Sequence, residues 1–218
     1  MKMSRKERET DHHYREILEA AEAAFAEKGF VTVSMEEVAS RAEFAVGTLY
    51  KFFRSKDELF REILRKKLEL FIPRINNILS GKAKPLEKIR AYFFECLELF
   101  WESPRFFRLF SHQTMGVICD HRAGFAPDIP ELYHRILKSL EEVFKKGIAS
   151  GVFQPCSPTV HVLILEGIRH YYLVHLTHME SPIRNKDEEQ ALWEFFTRGA
   201  LASLPQRSAR LYRGAYRK

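Results

Sequence analysis

Apolar residues recur at helical spacing along nearly the whole chain. Between Asp11 and Lys28, the residues Ile17, Leu18, Ala21, Ala24 and Phe25 share one face by the i, i+3, i+4, i+7 rule, which predicts an amphipathic helix. Gly29 follows, where a helix end favours a residue free to take positive φ. Ser34 opens the next element. Glu37 stands three residues on, the spacing of a capping box, and Met35, Val38, Ala39 and Ala42 supply the apolar face. A break over Ala42–Ala45 leads to a short helix at about Val46–Phe52, with Leu49 and Phe52 turned inward. Ser55 and Glu58 repeat the capping-box spacing. They open a longer helix carrying Leu59, Phe60, Ile63, Leu64, Leu68 and Phe71, predicted to end near Pro73 because proline lacks the helical N–H.

The pattern continues. Pro85 suits a first turn ahead of Leu86, Ile89, Tyr92, Phe93, Cys96, Leu97, Phe100 and Trp101. Ser103-Pro104 starts another helix, and Asp120–Pro130 reads as a loop. Tyr133, Ile136, Leu137, Leu140, Val143, Phe144 and Ile148 mark a helix closed near Gly151. Ser157-Pro158 begins a strongly apolar helix to about Met179, and Asn185 with Glu188 opens a last one through Trp193 and Phe196 to Leu204. Val31-Thr32-Val33 is too brief for a strand. The expectation is an all-α chain of about nine helices, with short connections that favour antiparallel neighbours.

Three short helices in the first 55 residues suggest a helix-turn-helix, whose third helix enters the major groove of DNA. That helix would expose Val46, Gly47, Thr48, Tyr50 and Lys51. The small residues let it sit deep, while Thr48, Tyr50 and Lys51 offer phosphate or base-edge contacts. The N-terminus of the following helix, with Lys56 in its first turn, is a candidate anion site. Ser34 is a cap whose exposed end could also meet a phosphate. Charge adds little: the chain carries +6, yet residues 1–60 hold 10 Lys/Arg against 12 Asp/Glu, and Pro205–Lys218 alone supply +5. That tail reads as a solvated, disordered extension or as an electrostatic arm for phosphates.

Taken in order, five runs are similar to the TetR (tetracycline repressor) family of bacterial regulators. They are Ile17-Leu18-Glu19-Ala20-Ala21, Phe25-Ala26-Glu27-Lys28-Gly29-Phe30, Thr32-Val33-Ser34-Met35-Glu36-Glu37-Val38-Ala39, Gly47-Thr48-Leu49-Tyr50-Lys51-Phe52-Phe53 and Ser55-Lys56-Asp57-Glu58-Leu59. The resemblance covers about residues 11–64. It implies a homodimer that binds double-stranded DNA at a palindromic operator, as a repressor released by a small effector. It also implies a C-terminal domain whose last two helices pair into a four-helix bundle. The expected layout is a DNA-binding domain at 11–58, a linking helix at 59–72, an effector and dimerisation domain at 73–204 and a basic tail at 205–218. Two departures stand out. Glu43 occupies the turn where the family usually has Gly, and Ala45-Val46 replace a Ser and a common Lys at the head of the recognition helix. The alternative reading is a small-molecule-binding or adaptor α-protein with weak or no DNA binding.

In the C-terminal part, Phe93, Trp101, Phe107, Phe110, Tyr133, Tyr171, Tyr172 and His175 are candidate effector contacts, with His112, Gln113 and Arg169 as further polar groups. Pockets of this kind are mostly apolar with few polar groups, which suits an apolar or amphipathic effector. Leu192, Phe195, Phe196, Gly199, Ala200 and Ser203 set large and small residues on adjoining faces of the last helix, as a close helix–helix dimer contact requires. His170, His175 and His178 lie near Glu166 on one helix but as a set do not line one face well, and the i, i+4 pair of histidines that suits zinc is missing there, so no metal site is expected. Gly-rich phosphate loops, nucleophile elbows and paired carboxylates are missing from the sequence, so neither an enzyme nor a cofactor is expected. Three scattered cysteines and the lack of a roughly 20-residue apolar run point to a cytoplasmic protein away from membranes.

Overall fold

The computed structural model describes residues 4–109 and 128–202, with side chains resumed from residue 131. Its helices are α1 (Arg5–Lys28), α2 (Met35–Arg41), α3 (Val46–Phe52), α4 (Lys56–Ser80) and α5 (Pro85–Glu102). The helical residues 104–109 form α6. Then come α7 (Asp128–Ala149), α8 (Pro158–His178) and α9 (Lys186–Ala200). Among the described residues the only β pairing is an isolated antiparallel bridge between Phe153 and Leu201.

Two apolar centres organise the chain. In the first, Ile17, Ala21, Ala24 and Phe25 of α1 pack with Val38 of α2, Leu49 of α3 and Leu59, Phe60 and Ile63 of α4, all buried. The second joins Ile89, Phe93, Leu97 and Phe100 of α5 to Leu140 and Phe144 of α7, Leu165 and Leu173 of α8, and Trp193 and Phe196 of α9. The α4 helix runs between them, with Leu59 in the first centre and Ile75 and Leu79 buried at its far end.

Several boundaries differ from the periodicity. The first helix starts at Arg5, not Asp11, because Ser4 and Glu7 form a complete capping box: Ser4 N donates to Glu7 Oε2 at 2.6 Å and Glu7 N to Ser4 Oγ at 3.2 Å. The expected boxes at Ser34 and Ser55 are half-formed. Each hydroxyl accepts an amide, from Glu37 and Glu58 respectively. The return carboxylates go elsewhere: Glu37 pairs with Lys28, and Glu58 accepts from Arg54 N at 2.7 Å.

The linking helix does not stop near Pro73. It continues to Ser80 with Pro73 inside it. An interior proline forfeits one hydrogen bond and costs about 3 kcal/mol. Burial of Phe71, Ile75 and Leu79 offsets that cost, as do ion pairs from Arg74 to Glu95 and Glu102 on α5. Asp128–Pro130, expected in a loop, are the first residues of α7. The last helix ends at Ala200, four residues early, where the chain turns to pair Leu201 with Phe153.

Candidate DNA interface and effector core

Glu43 settles how the helix-turn-helix bends. Its φ is +60°, and among the described residues no other non-glycine has positive φ. Glu43 N donates to Ser40 O at 3.2 Å and Phe44 N to Ala39 O at 2.9 Å. With Ala42 as the C-cap of α2, this is a Schellman ending with Glu43 at the position glycine normally fills. The turn therefore keeps the left-handed geometry despite a Cβ.

The third helix presents the expected residues outward. Ala45, Val46, Gly47, Tyr50 and Lys51 are exposed, Tyr50 by 47 %, and Thr48 is half-covered. Leu49 is fully buried and roots the helix in the first core. Phe52 is only half-buried, and its neighbour Phe53 takes the inward place. Ala45 leaves α3 without a side-chain cap. Ser34 is exposed while capping α2.

Lys56 is spoken for. Its ammonium donates to Val33 O at 2.8 Å and Val31 O at 3.0 Å, and lies 4.7 Å from the centre of the Phe30 ring. The side chain anchors the α1–α2 connection, and the first turn of α4 already holds Asp57 and Glu58 against its dipole. Lys51 and Arg54, close by in sequence, are exposed cations. Arg41 and Lys28 are paired to Glu27 and Glu37.

The second core contains a buried polar knot. Glu166 and Arg169 of α8 form an ion pair with both side chains 8 % exposed. Tyr92 of α5 donates to Glu166 Oε1 at 2.9 Å, Tyr133 of α7 donates to Oε2 at 2.9 Å, and Arg169 Nε donates to Oε1 at 3.1 Å. Three helices thus meet on one carboxylate. Burial pushes that carboxyl up, but the Arg169 charge and the hydrogen bonds from Arg169, Tyr92 and Tyr133 outweigh it and hold it below its ordinary value. Burial and the neighbouring carboxylate raise Tyr92 well above the usual phenol range, and Tyr133 rises for the same reasons.

The predicted effector contacts divide. Phe93 is fully buried against Trp193, with ring centres 5.8 Å apart. Tyr133 joins the knot, and Tyr172 is buried with its hydroxyl lacking a hydrogen-bond partner among the described residues. Phe107 is half-buried and stacks on Phe71 at 5.9 Å, at the joint with α4. Three others lie nearer the surface. Trp101 donates to Glu189 Oε1 at 2.8 Å and lines a shallow outer cleft with Ala26, Pro104 and Pro182. Tyr171, 77 % exposed, and His175, also exposed, lie outside the core because α8 buries the opposite face. Phe110, His112 and Gln113 lie outside the described residues.

The predicted dimer residues divide as well. Phe196 and Ala200 are buried, Phe196 at 5.6 Å from Trp193 and 6.2 Å from Phe144. Phe195, 76 % exposed, and Gly199 face outward, Leu192 is half-buried, and Ser203 lies outside the described residues. On α8, Val160, Leu163, Ile164 and Tyr171 are exposed, and a Cβ at Gly167 would meet nothing within 4 Å. Sequence reasoning missed Glu166 as a structural acid. Its i, i+3 spacing to Arg169 was the available signal. Among the described residues no cluster of metal-ligating side chains occurs, and no helix is long and apolar enough to cross a membrane.

Comparison with known proteins bears on both halves. Residues 17–63 match the model of the bacterial regulatory proteins, tetR family. The transcriptional repressor KstR2 of Mycobacterium tuberculosis H37Rv is 28% identical over 140 residues, spanning 64% of this chain and 68% of its own. The solved ketosteroid transcriptional regulator KstR2 of M. tuberculosis superposes with a TM-score of 0.74 at 22% identity, covering 86% of this chain and 94% of its own. AibR, solved with isovaleryl coenzyme A and operator DNA, superposes with a TM-score of 0.65 at 22% identity, covering 86% and 97%.

Proposed function

This chain belongs to the TetR family of bacterial transcriptional regulators, and from that premise we propose that it is a homodimeric repressor. It grips a palindromic operator through paired α3 helices and is released by a small apolar or amphipathic effector. The observation that carries the reading is α3 itself: Leu49 is wholly buried while Val46, Gly47, Tyr50 and Lys51 face out on a turn of preserved geometry. That turn also weakens the adaptor alternative, since Glu43 does not disturb the helix arrangement.

The proposed dimer surface combines Leu163, Ile164 and Tyr171 of α8 with Phe195 of α9. Gly167 and Gly199, each with open space around it, would admit a partner helix closely. Two α3 helices must then lie about 34–36 Å apart to reach successive major grooves. The effector would enter the core around Phe93, Tyr133 and Tyr172, whose hydroxyl has no hydrogen-bond partner among the described residues. The likeness to a regulator solved with an acyl thioester favours an amphipathic molecule with an acyl or alicyclic body. The effector must bind the DNA-incompetent arrangement more tightly, or it shifts nothing. A mobility-shift titration on the DNA upstream of the protein's own coding region tests the reading. Retarded DNA released by an acyl thioester or steroid-like acid supports it; no sequence-selective retardation overturns it.

A further inference from the structure

Outside the DNA and effector regions, one pair of reactive side chains stands at the junction of α7, α8 and α9. Cys156 is exposed at the end of the α7–α8 connection, and its sulfur lies 3.1 Å from Nδ1 of His161, one turn into α8. His161 is 3 % exposed. Its ring stacks on Phe144 of α7 at 5.1 Å and 25°, and lies 5.7 Å from Phe153. The imidazole is therefore held by aromatic walls and turned to a thiol that solvent can reach. Cys156 also approaches Ser157 O at 3.7 Å, a weak alternative acceptor for its proton.

Aromatic rings line the imidazole: Phe144 faces it from α7, Phe153 faces it from the connection, and Phe196 of α9 packs behind Phe144. On the exposed side, the Thr159 hydroxyl donates to the Glu141 carboxylate of α7 at 2.8 Å. Partial burial pushes the Cys156 thiol above its ordinary value, so the thiol gains little from simple ionisation at neutral pH. A neighbouring base is what such a sulfur needs.

We propose that Cys156 is a modification site for low-molecular-weight disulfides, with His161 as its general base. His161 takes the thiol proton while the Cys156 sulfur attacks one sulfur of the incoming disulfide. A new S–S bond forms, the old one breaks, and the departing thiolate receives a proton and leaves as a thiol. Cys156 is oxidised to the mixed disulfide and half of the reagent is reduced, so no further oxidant is required. The other described cysteine, Cys96, is buried, and burial pushes its thiol up to about 11, so it competes poorly for the reagent; Cys119 lies outside the described residues.

The position gives the adduct leverage. Phe153 lies on Gly147 so closely that a Cβ there would fall 2.2 Å from its ring. Gln154 N donates to Ala200 O at 2.8 Å, and Ala202 N donates to Val152 O at 3.2 Å. The connection that carries Cys156 is thus stapled to the end of α9.

The test is the rate of mixed-disulfide formation with oxidised glutathione on the full chain, followed by intact mass and peptide mapping from pH 5 to 10. The expected result is a single adduct at Cys156. Its rate at pH 7 should exceed, by at least about tenfold, the rate extrapolated from the thiolate branch measured above about pH 9. His161→Phe, which keeps an aromatic ring in the stack, should lose that excess and react at least about tenfold more slowly at pH 7. An adduct that forms first on another cysteine overturns the proposal. So does a pH 7 rate in the unaltered protein that equals the extrapolated thiolate rate, a measurement that stands even if His161→Phe folds poorly.

Discussion

Lys67 on α4 reaches the Glu22 carboxylate on α1 at 3.3 Å, and the same ammonium donates to the Ser103 hydroxyl at 3.2 Å at the head of α6. One cation therefore joins the DNA-binding core to the first turn of the helix leading toward the effector region. Lys67→Met should leave operator affinity and effector affinity each within about threefold, yet reduce the coupling between them, which is commonly 1–3 kcal/mol in such systems. Operator titrations with and without saturating effector measure it. Unchanged coupling would assign Lys67 a purely structural part.

Glu43 holds a conformation that costs a residue with a Cβ about 1–2 kcal/mol. Replacing it with glycine relieves that strain but adds unfolded-state entropy worth about 0.4–1 kcal/mol. Glu43→Gly should therefore be neutral or stabilising by up to about 1 kcal/mol in urea unfolding. It also removes a carboxylate beside the recognition helix, so DNA binding should tighten at low salt and converge with the parent as salt rises.

Glu166→Gln should destabilise the protein by about 3–5 kcal/mol, because it leaves the Arg169 guanidinium buried without its counter-charge. The pH dependence follows from the same contact. A carboxyl held below its ordinary value adds stability above its unfolded pKa of about 4.3, and that contribution is lost as pH falls through the lower folded value. Urea midpoints between pH 7 and 3 should fall more steeply below about pH 4.3 in the parent than in Glu166→Gln. Parallel curves would remove Glu166 from the acid response.

The two lysines flanking the end of the recognition helix should separate cleanly. Lys51→Ala should weaken operator and non-operator DNA alike and lower the salt slope by about one. Lys56→Ala should leave that slope intact and cost about 1 kcal/mol of stability, because its ammonium serves Val31 O and Val33 O. A slope change at Lys56 instead would mean that the carbonyls release it on DNA.

Much of this was legible in the sequence, for identifiable reasons. The helices and the inward residues Ile17, Leu49 and Phe93 follow from apolar periodicity, whereas Glu43 in place of a glycine left open either positive φ or a different turn, and the structure has φ of +60°. Pro73 misled because propensity is local, whereas the burial of Ile75 and Leu79 and the Arg74 ion pairs are tertiary. The carbonyl contacts of Lys56 were not legible because their partners lie 23 and 25 residues away. Phe195 and Phe196 are adjacent and both aromatic, so composition could not say which one faces out; the rotation of α9 against Trp193 and Phe144 decides it. The Glu166 knot draws on α5, α7 and α8 at once, and only its Arg169 arm has a spacing that a sequence reveals.

The central claim is that two copies, paired through α8 and α9, present two α3 helices to one DNA site. Sedimentation velocity of the protein with a labelled operator fragment tests it most directly, run on the parent and on Leu163→Glu, whose side chain is 67 % exposed and so is tolerated by the monomer fold. The account predicts a parent dimer that binds the fragment with two chains per site. It predicts a folded Leu163→Glu monomer with operator affinity at least about tenfold weaker, a loss of about 1.4 kcal/mol or more. A Leu163→Glu protein that remains dimeric and binds with parental affinity would contradict it.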